Sequence, residues 1–378
     1  MMPNPASPPA KRDLRLDFFR GLSLWFIFLD HVPFNQLSWL TIRFYGFSDA
    51  AEIFVFISGY TAAFVYGRMM REQGFIVAAA RIWKRAWQLY VAFVFLSVIY
   101  IAQIAYVAHN FENPLFAEEM VVLHFLERPE IILLEVLRLR FLLANVDVLP
   151  LYIVLMIVFP LMLWLVLRAP AAALILSVVI WAFANFVGIN LNLYPLERGW
   201  FFNPFAWQLL FCIGALCAVA GGNWLRALYR SNALIVLCIV YLVFAFCLAL
   251  TTAFPDTLRH LPDWLVIFPL DKSGLSPLRL AHFLALALIT VRFVRQDAAF
   301  LQSALAQPLI LCGRHSLEIF CLGVFLAYTA GFVLIEISPS LWMQAAVSLG
   351  GILSMIGLAV LMSWYKALGR RPARELAA

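Results

Sequence analysis

The stretch RLDFFRGLSLWFIFLDHVPFNQLSWLTIRFYGFSDAAEIFVFISGY, residues 15–60, decides the reading. It holds two apolar segments, and both carry charges that a membrane helix ordinarily avoids. Asp17, Arg20, Asp30 and His31 sit in or at the ends of the first; Asp49 and Glu52 sit at the start of the second. Ionisable groups at membrane depth are costly and usually mark a functional path. Arg20 and His31 differ by only about 20° around a helix axis, while the rise separates them by roughly 16 Å. With Asp17 they share one face but lie towards opposite ends. Such a helix can hold an anionic ligand at one end and do proton chemistry at the other. The plainer alternative is that Arg20 snorkels to lipid headgroups and His31 is an interfacial histidine.

The rest of the chain sets the frame for that helix. Of 378 residues, 64% are hydrophobic and only 13% charged, where a soluble domain is usually about a quarter charged. The mean hydropathy is +0.91. Repeated runs of about 20 apolar residues signal an integral membrane protein, and 34 Phe and 12 Trp suit a lipid-facing, aromatic-belted surface. The net charge of +6 then records orientation rather than nucleic-acid binding. All six cysteines fall in apolar segments and read as small buried hydrophobes, with no disulfide framework and no metal-ligand spacing. Residues 1–13 are polar and Pro-rich and read as a disordered cytoplasmic N-terminus. The apolar run after them has no small-residue cleavage site and reads as a retained helix.

The expected fold is all-α: a polytopic membrane bundle of about ten transmembrane helices near 14–33, 44–66, 86–108, 148–167, 170–188, 204–221, 232–253, 277–294, 315–336 and 342–365. Residues 14–366 form one integral membrane domain, and 367–378 a basic cytoplasmic tail. Placing the N-terminus inside gathers Lys11, Arg12, Arg15, Arg20, Arg68, Arg71, Arg81, Lys84, Arg85, Arg168, Arg226, Arg230, Arg292, Arg295, Lys366, Arg370, Arg371 and Arg374 on the cytoplasmic side. That bias supports N-in, C-in topology. Residues 109–147 show helical apolar spacing that suits an interfacial amphipathic helix or a loop helix on the bundle. The outer stretches 189–203 and 254–276 are rich in Pro and aromatics, which suit a membrane interface or sugar rings.

This topology sorts the unusual residues into two layers. The inner one holds Asp17, Arg20, Arg81, Lys84, Arg85, Arg314 and His315, with Arg314 and Glu318 spaced as an i,i+4 pair. A basic layer suits an anionic cytoplasmic ligand, although Arg81, Lys84 and Arg85 also satisfy the positive-inside rule alone. The outer layer holds Asp30, His31, Asn35, Asp49, Glu52, Asn145, Asp147, Asn203, Gln208, Arg279 and His282. Histidine beside carboxylate is what general-base chemistry requires. Asp49 or Glu52 can orient His31, or either can pair with Arg43 or Arg279. Gly59 and Ala63 leave room for another helix against the second segment.

RLDFFRGLSLWFIFLDH and YGFSDAAEIFVFISGY, with NVDVLPLYIVL at 145–155, FNPFAWQLLFCIGA at 202–215, DKSGLSPLRLAHFLALA at 271–287 and GRHSLEIFCLG at 313–323, resemble the OpgC family within the membrane acyltransferase-3 superfamily. The resemblance spans nearly the whole chain. It implies an O-acyltransferase of the bacterial inner membrane that places succinyl groups on periplasmic glucans, with succinyl-CoA as co-substrate and no metal. It also implies His31 as the acyl-transfer base and Arg20 as the acyl-CoA contact. Asp17, Arg314 and His315 then lie at the donor end. Asn35, Asn145, Asp147, Asn203, Arg279 and His282 lie at the acceptor end, where Asn145, Asn203 or Arg279 can supply an oxyanion donor. The implied partners are membrane lipid, acyl-CoA and the glucan, with no nucleic acid; an oligomer is compatible with the sequence. A transporter or flippase is the alternative, but it calls for broken midplane helices and repeated halves, and the sequence shows neither. A non-catalytic scaffold leaves the charges of the first helix unexplained.

Overall fold

In the computed structural model, residues 12–111, 125, 128–195, 198–219, 223–253 and 270–368 are described. The expectations for residues 1–11 and 369–378, for most of 112–127 and for 254–269 lie outside them.

Thirteen α-helices run through the described residues: α1 Leu14–His31, α2 Ala50–Gln73, α3 Phe75–Phe111, α4 Pro129–Leu137, α5 Val148–Arg168, α6 Pro170–Val187, α7 Pro204–Val219, α8 Asn223–Arg230, α9 Asn232–Ala253, α10 Pro277–Phe293, α11 Gln307–Arg314, α12 Ser316–Glu336 and α13 Leu341–Leu368. Each of the ten expected segments overlaps one of the long helices. Seven of these (α2, α3, α5, α6, α9, α12 and α13) are long and apolar enough to cross a membrane. α7 and α10 are shorter, at 16 and 17 residues. α1 carries Arg15, Asp17, Arg20 and Asp30.

Two boundaries depart from the sequence reading. α2 begins at Ala50, not near 44, because Asp49 and Glu52 close a capping box. Asp49 Oδ1 accepts from Ala51 N, and Glu52 Oε2 accepts from Asp49 N, each at 2.9 Å. The box satisfies two of the orphan amides of the first turn and so fixes the start. α3 begins at Phe75, eleven residues before the expected 86. Gly74, at φ +87°, ends α2, and the basic residues 81–85 continue the next helix rather than forming a loop. At 37 residues, α3 is about 55 Å long and outruns a hydrocarbon core of about 30 Å.

The bundle is organised on two crossings. α1 packs on α11, α12 and α2; α2 packs on α7 and α3. Around them α3 packs on α5, α6 on α7, α9 on α10 and α12 on α13. Both central crossings bring backbones into contact. A Cβ on Gly21 would stand 1.9 Å from Leu309 O, and one on Gly313 1.9 Å from Asp17 O. Between α2 and α7, a Cβ on Gly59 would stand 2.1 Å from Phe211 O, and one on Gly214 2.3 Å from Phe56 O. Small residues permit this approach, and tight van der Waals packing is what holds helices together where lipid removes the hydrophobic drive. The cysteines are free; Cys212, Cys238 and Cys312 are buried, but Cys247 is exposed on the apolar outer flank of α9.

Candidate active site

Arg20 projects from α1 onto α2. Its Nη2 donates to Thr61 Oγ1 at 2.6 Å and to Ile57 O at 3.3 Å, while its buried Nε has no partner. Among the described residues Arg20 forms no ion pair with a carboxylate. It opens into a cavity of about 180 Å³ shared with Ser58, Thr61, Tyr66, Arg85 and Tyr152. This cavity follows α2 from Phe54 to Tyr66, about 18 Å of helix. Of the basic residues at 81–85, Arg81 and Lys84 are exposed, and only Arg85 turns partly inward to the cavity. An arginine with an unused buried N–H beside a second arginine is suited to phosphate oxygens.

The other expected donor-end residues divide. Asp17 is buried and takes a two-pronged contact from Arg12, at 2.5 and 2.8 Å, with Arg314 Nε at 3.7 Å. Arg314 therefore reaches across the α1–α11 crossing to Asp17, in place of the expected pairing with Glu318. His315 faces away from Arg20, towards α13. Its Nε2 meets Ser363 Oγ at 2.8 Å, and its Nδ1 receives Lys366 Nζ at 3.2 Å.

At the opposite end of α1, His31 keeps part of its surface accessible, but its Nδ1 is buried without a hydrogen-bond partner. Asp49 and Glu52 do not bond it. They bind cations: Arg279 Nη2 lies 2.6 Å from Glu52 Oε1 and 3.1 Å from Asp49 Oδ2, and Lys272 Nζ lies 2.6 Å from Asp49 Oδ2. Although burial alone would raise it, Lys272 and Arg279 hold the Asp49 carboxyl well below the usual carboxylate range. α1 and α2 run in opposite directions, and Arg20 meets α2 at Ile57 and Thr61. His31, about 16 Å further along α1, therefore falls level with the first turn of α2. Asp30 beside it accepts from Thr41 Oγ1 at 2.7 Å.

Several expected acceptor-end residues serve the fold. Asn35 caps a 3₁₀ turn at Gln36–Leu40 and donates to Ser348 Oγ at 3.1 Å. Asn203 accepts from Phe205 N at the start of α7 and donates to Ile189 O. His282 Nδ1 shares a 2.7 Å hydrogen bond with Ser48, and its Nε2 packs against Gly46. Asn145, in the left-handed region at φ +68°, hydrogen-bonds Tyr100. Asp147 precedes α5 without capping it and feels Lys272. Among the described residues no His, Cys, Asp and Glu group is arranged to hold a metal ion.

The profile of the OpgC protein family matches residues 12–367, nearly the whole chain and both ends of this site. The chain belongs to the OpgC family. Neither a curated protein nor a solved structure matches it. With its apolar helices, this OpgC protein is a multi-pass integral membrane protein. Three residues of its site went unread in the sequence, Thr61, Tyr152 and Lys272, while Arg85 stood in the inner basic layer without being told apart from Arg81 and Lys84. Arg85 was hidden among exposed basic neighbours. Lys272 stands beside Arg279 in the DKSGLSPLR stretch, but nothing local marks it. The capping-box spacing of Asp49 and Glu52 was legible, and it would have moved the expected start of α2 from near 44 to Ala50.

Proposed function

We propose that this OpgC protein is a transmembrane O-acyltransferase of the bacterial inner membrane. It moves a succinyl group from cytoplasmic succinyl-CoA to hydroxyls of a periplasmic glucan. All ten long helices cross, with both termini inside, in keeping with the Lys and Arg bias. The observation that carries the reading is Arg20. It is an arginine inside the bundle with no carboxylate partner among the described residues, opening on a cavity that it shares with Arg85 and sharing a helix face with His31.

In this scheme Arg20 and Arg85 hold the CoA phosphates, and the pantetheine arm spans the roughly 16 Å to His31. His31 takes the proton of an acceptor hydroxyl arriving from the outer side. The hydroxyl oxygen attacks the thioester carbon, a C–O bond forms, and the C–S bond breaks. The proton passes from His31 to the departing thiolate, so that ester and CoA thiol are the products. The neighbouring cation Arg279 favours negative charge on the carbonyl oxygen as it develops. Purified protein in liposomes, given succinyl-CoA and a neutral glucan, should release CoA thiol and give succinylated glucan. His31→Ala should cut turnover by about 10²- to 10⁴-fold. Activity near wild type in that variant rejects the role.

A further inference from the structure

Lys272 is placed with more care than a counter-ion to Asp49 needs. It lies on the turn 271–276, whose backbone is fixed from several sides. Trp207 Nε1 donates to the carbonyls of Lys272 and Ser273, at 3.0 and 3.2 Å. Trp181 Nε1 donates to Leu275 O, and Asn185 Nδ2 to Gly274 O. Asp271 accepts from the amides of Ser273 and Gly274. Side chains on a backbone fixed in this way are preorganised.

Its ammonium uses one of its three N–H groups, on Asp49. The rings of Phe201 and Phe202 lie 5.6 and 5.3 Å from Nζ and wall it on the apolar side. Arg279 is the more buried cation, and its Nε and Nη2 are engaged by two carboxylates, Glu52 and Asp49. Among the described residues, the other charges around this space are Arg43, Asp30, Asp147 and Arg198. Asp30 is held by Thr41, and Asp147 lies beyond ion-pair distance of Lys272. A carboxylate in direct contact outweighs one held further off.

Resting on the acyl-transfer reading above, we infer that Lys272 is the residue that selects an anionic acyl group: its free N–H groups grip the terminal carboxylate of a dicarboxylic monoacyl donor, while Phe201 and Phe202 cover the methylenes. Its ion pair with Asp49, at the start of α2 and level with His31, puts that grip at the reacting end of the donor.

The test compares succinyl-CoA with butyryl-CoA, which has the same number of acyl carbons and no terminal charge. The kcat/KM ratio of the two donors is read on one preparation, so any loss of folded protein cancels. Wild type should prefer succinyl-CoA. Lys272→Met should lower that ratio by at least about tenfold, the scale of a lost hydrogen bond to a charged group, and Lys272→Arg should keep most of it. Equal losses for both donors in Lys272→Met, or a wild type indifferent to the charge, overturn the inference and leave acyl transfer standing. A wild type that transfers neither group overturns the acyl-transfer reading, and this inference with it.

Discussion

Arg279 Nη2 lies 2.6 Å from Glu52 Oε1, and the Glu52 side chain has no exposed surface. The pair ties the start of α10 to the first turn of α2, where the capping box also draws on Glu52. Breaking a buried pair strands a charge. Glu52→Gln is therefore expected to cost about 3 kcal/mol, the lower end of the range for such pairs because Asp49 still faces Arg279. Glu72→Gln, which breaks the exposed Arg68–Glu72 pair, should cost under about 0.5 kcal/mol. Thermal unfolding in detergent separates the two.

The glycine crossings make a second prediction. Gly59→Ala pushes a methyl into Phe211 O on α7 and should destabilise by about 1–3 kcal/mol through overpacking. Gly350→Ala, on α13 with nothing within 4 Å of the added carbon, should be neutral or slightly stabilising by helix propensity. Equal effects would show that close backbone approach is not what holds α2 to α7.

The two ends of α1 should separate in kinetics. Arg20→Ala is expected to raise the KM for succinyl-CoA by about 10- to 100-fold, as a charged hydrogen-bond donor is lost, with a smaller change in kcat. Arg85→Ala should act in the same direction more weakly. His31→Ala should act chiefly on kcat. Steady-state rates over a range of donor concentration check all three.

His315 gives a pH effect of known sign. Burial, then Lys366, lowers its pKa below the ordinary 6.5; Glu318 opposes, and Arg12 and Arg314 add to the lowering. A depressed histidine pKa stabilises the fold fully above the unfolded value, and that contribution drains away as pH falls through the folded value. Between about pH 7.5 and about pH 5.5 the wild-type melting temperature should therefore fall more than that of His315→Gln. Parallel curves would contradict a charge-sensitive contact between His315 and Lys366.

Most of the helices were legible because apolar runs of membrane length have few other readings. α1 was legible as special because its charges have no place in a lipid-facing span. What escaped was non-local. The turn that fixes Lys272 takes hydrogen bonds from Trp181 and Trp207, each more than 60 residues away in sequence. The inward turn of Arg85 depends on α3 starting at Phe75 rather than near residue 86. Asn35, Asn203 and His282 looked chemical by type and depth, but the two asparagines are held in caps and longer-range bonds and His282 Nδ1 in a bond to Ser48, which only the folded chain reveals.

The most direct test of the central claim is a structure of the protein with a succinyl-CoA analogue whose thioester sulfur is replaced by methylene. The account predicts CoA phosphates within hydrogen-bond distance of Arg20 and the acyl carbonyl beside the His31 imidazole. An analogue bound elsewhere, with Arg20 and His31 both unengaged, would contradict it.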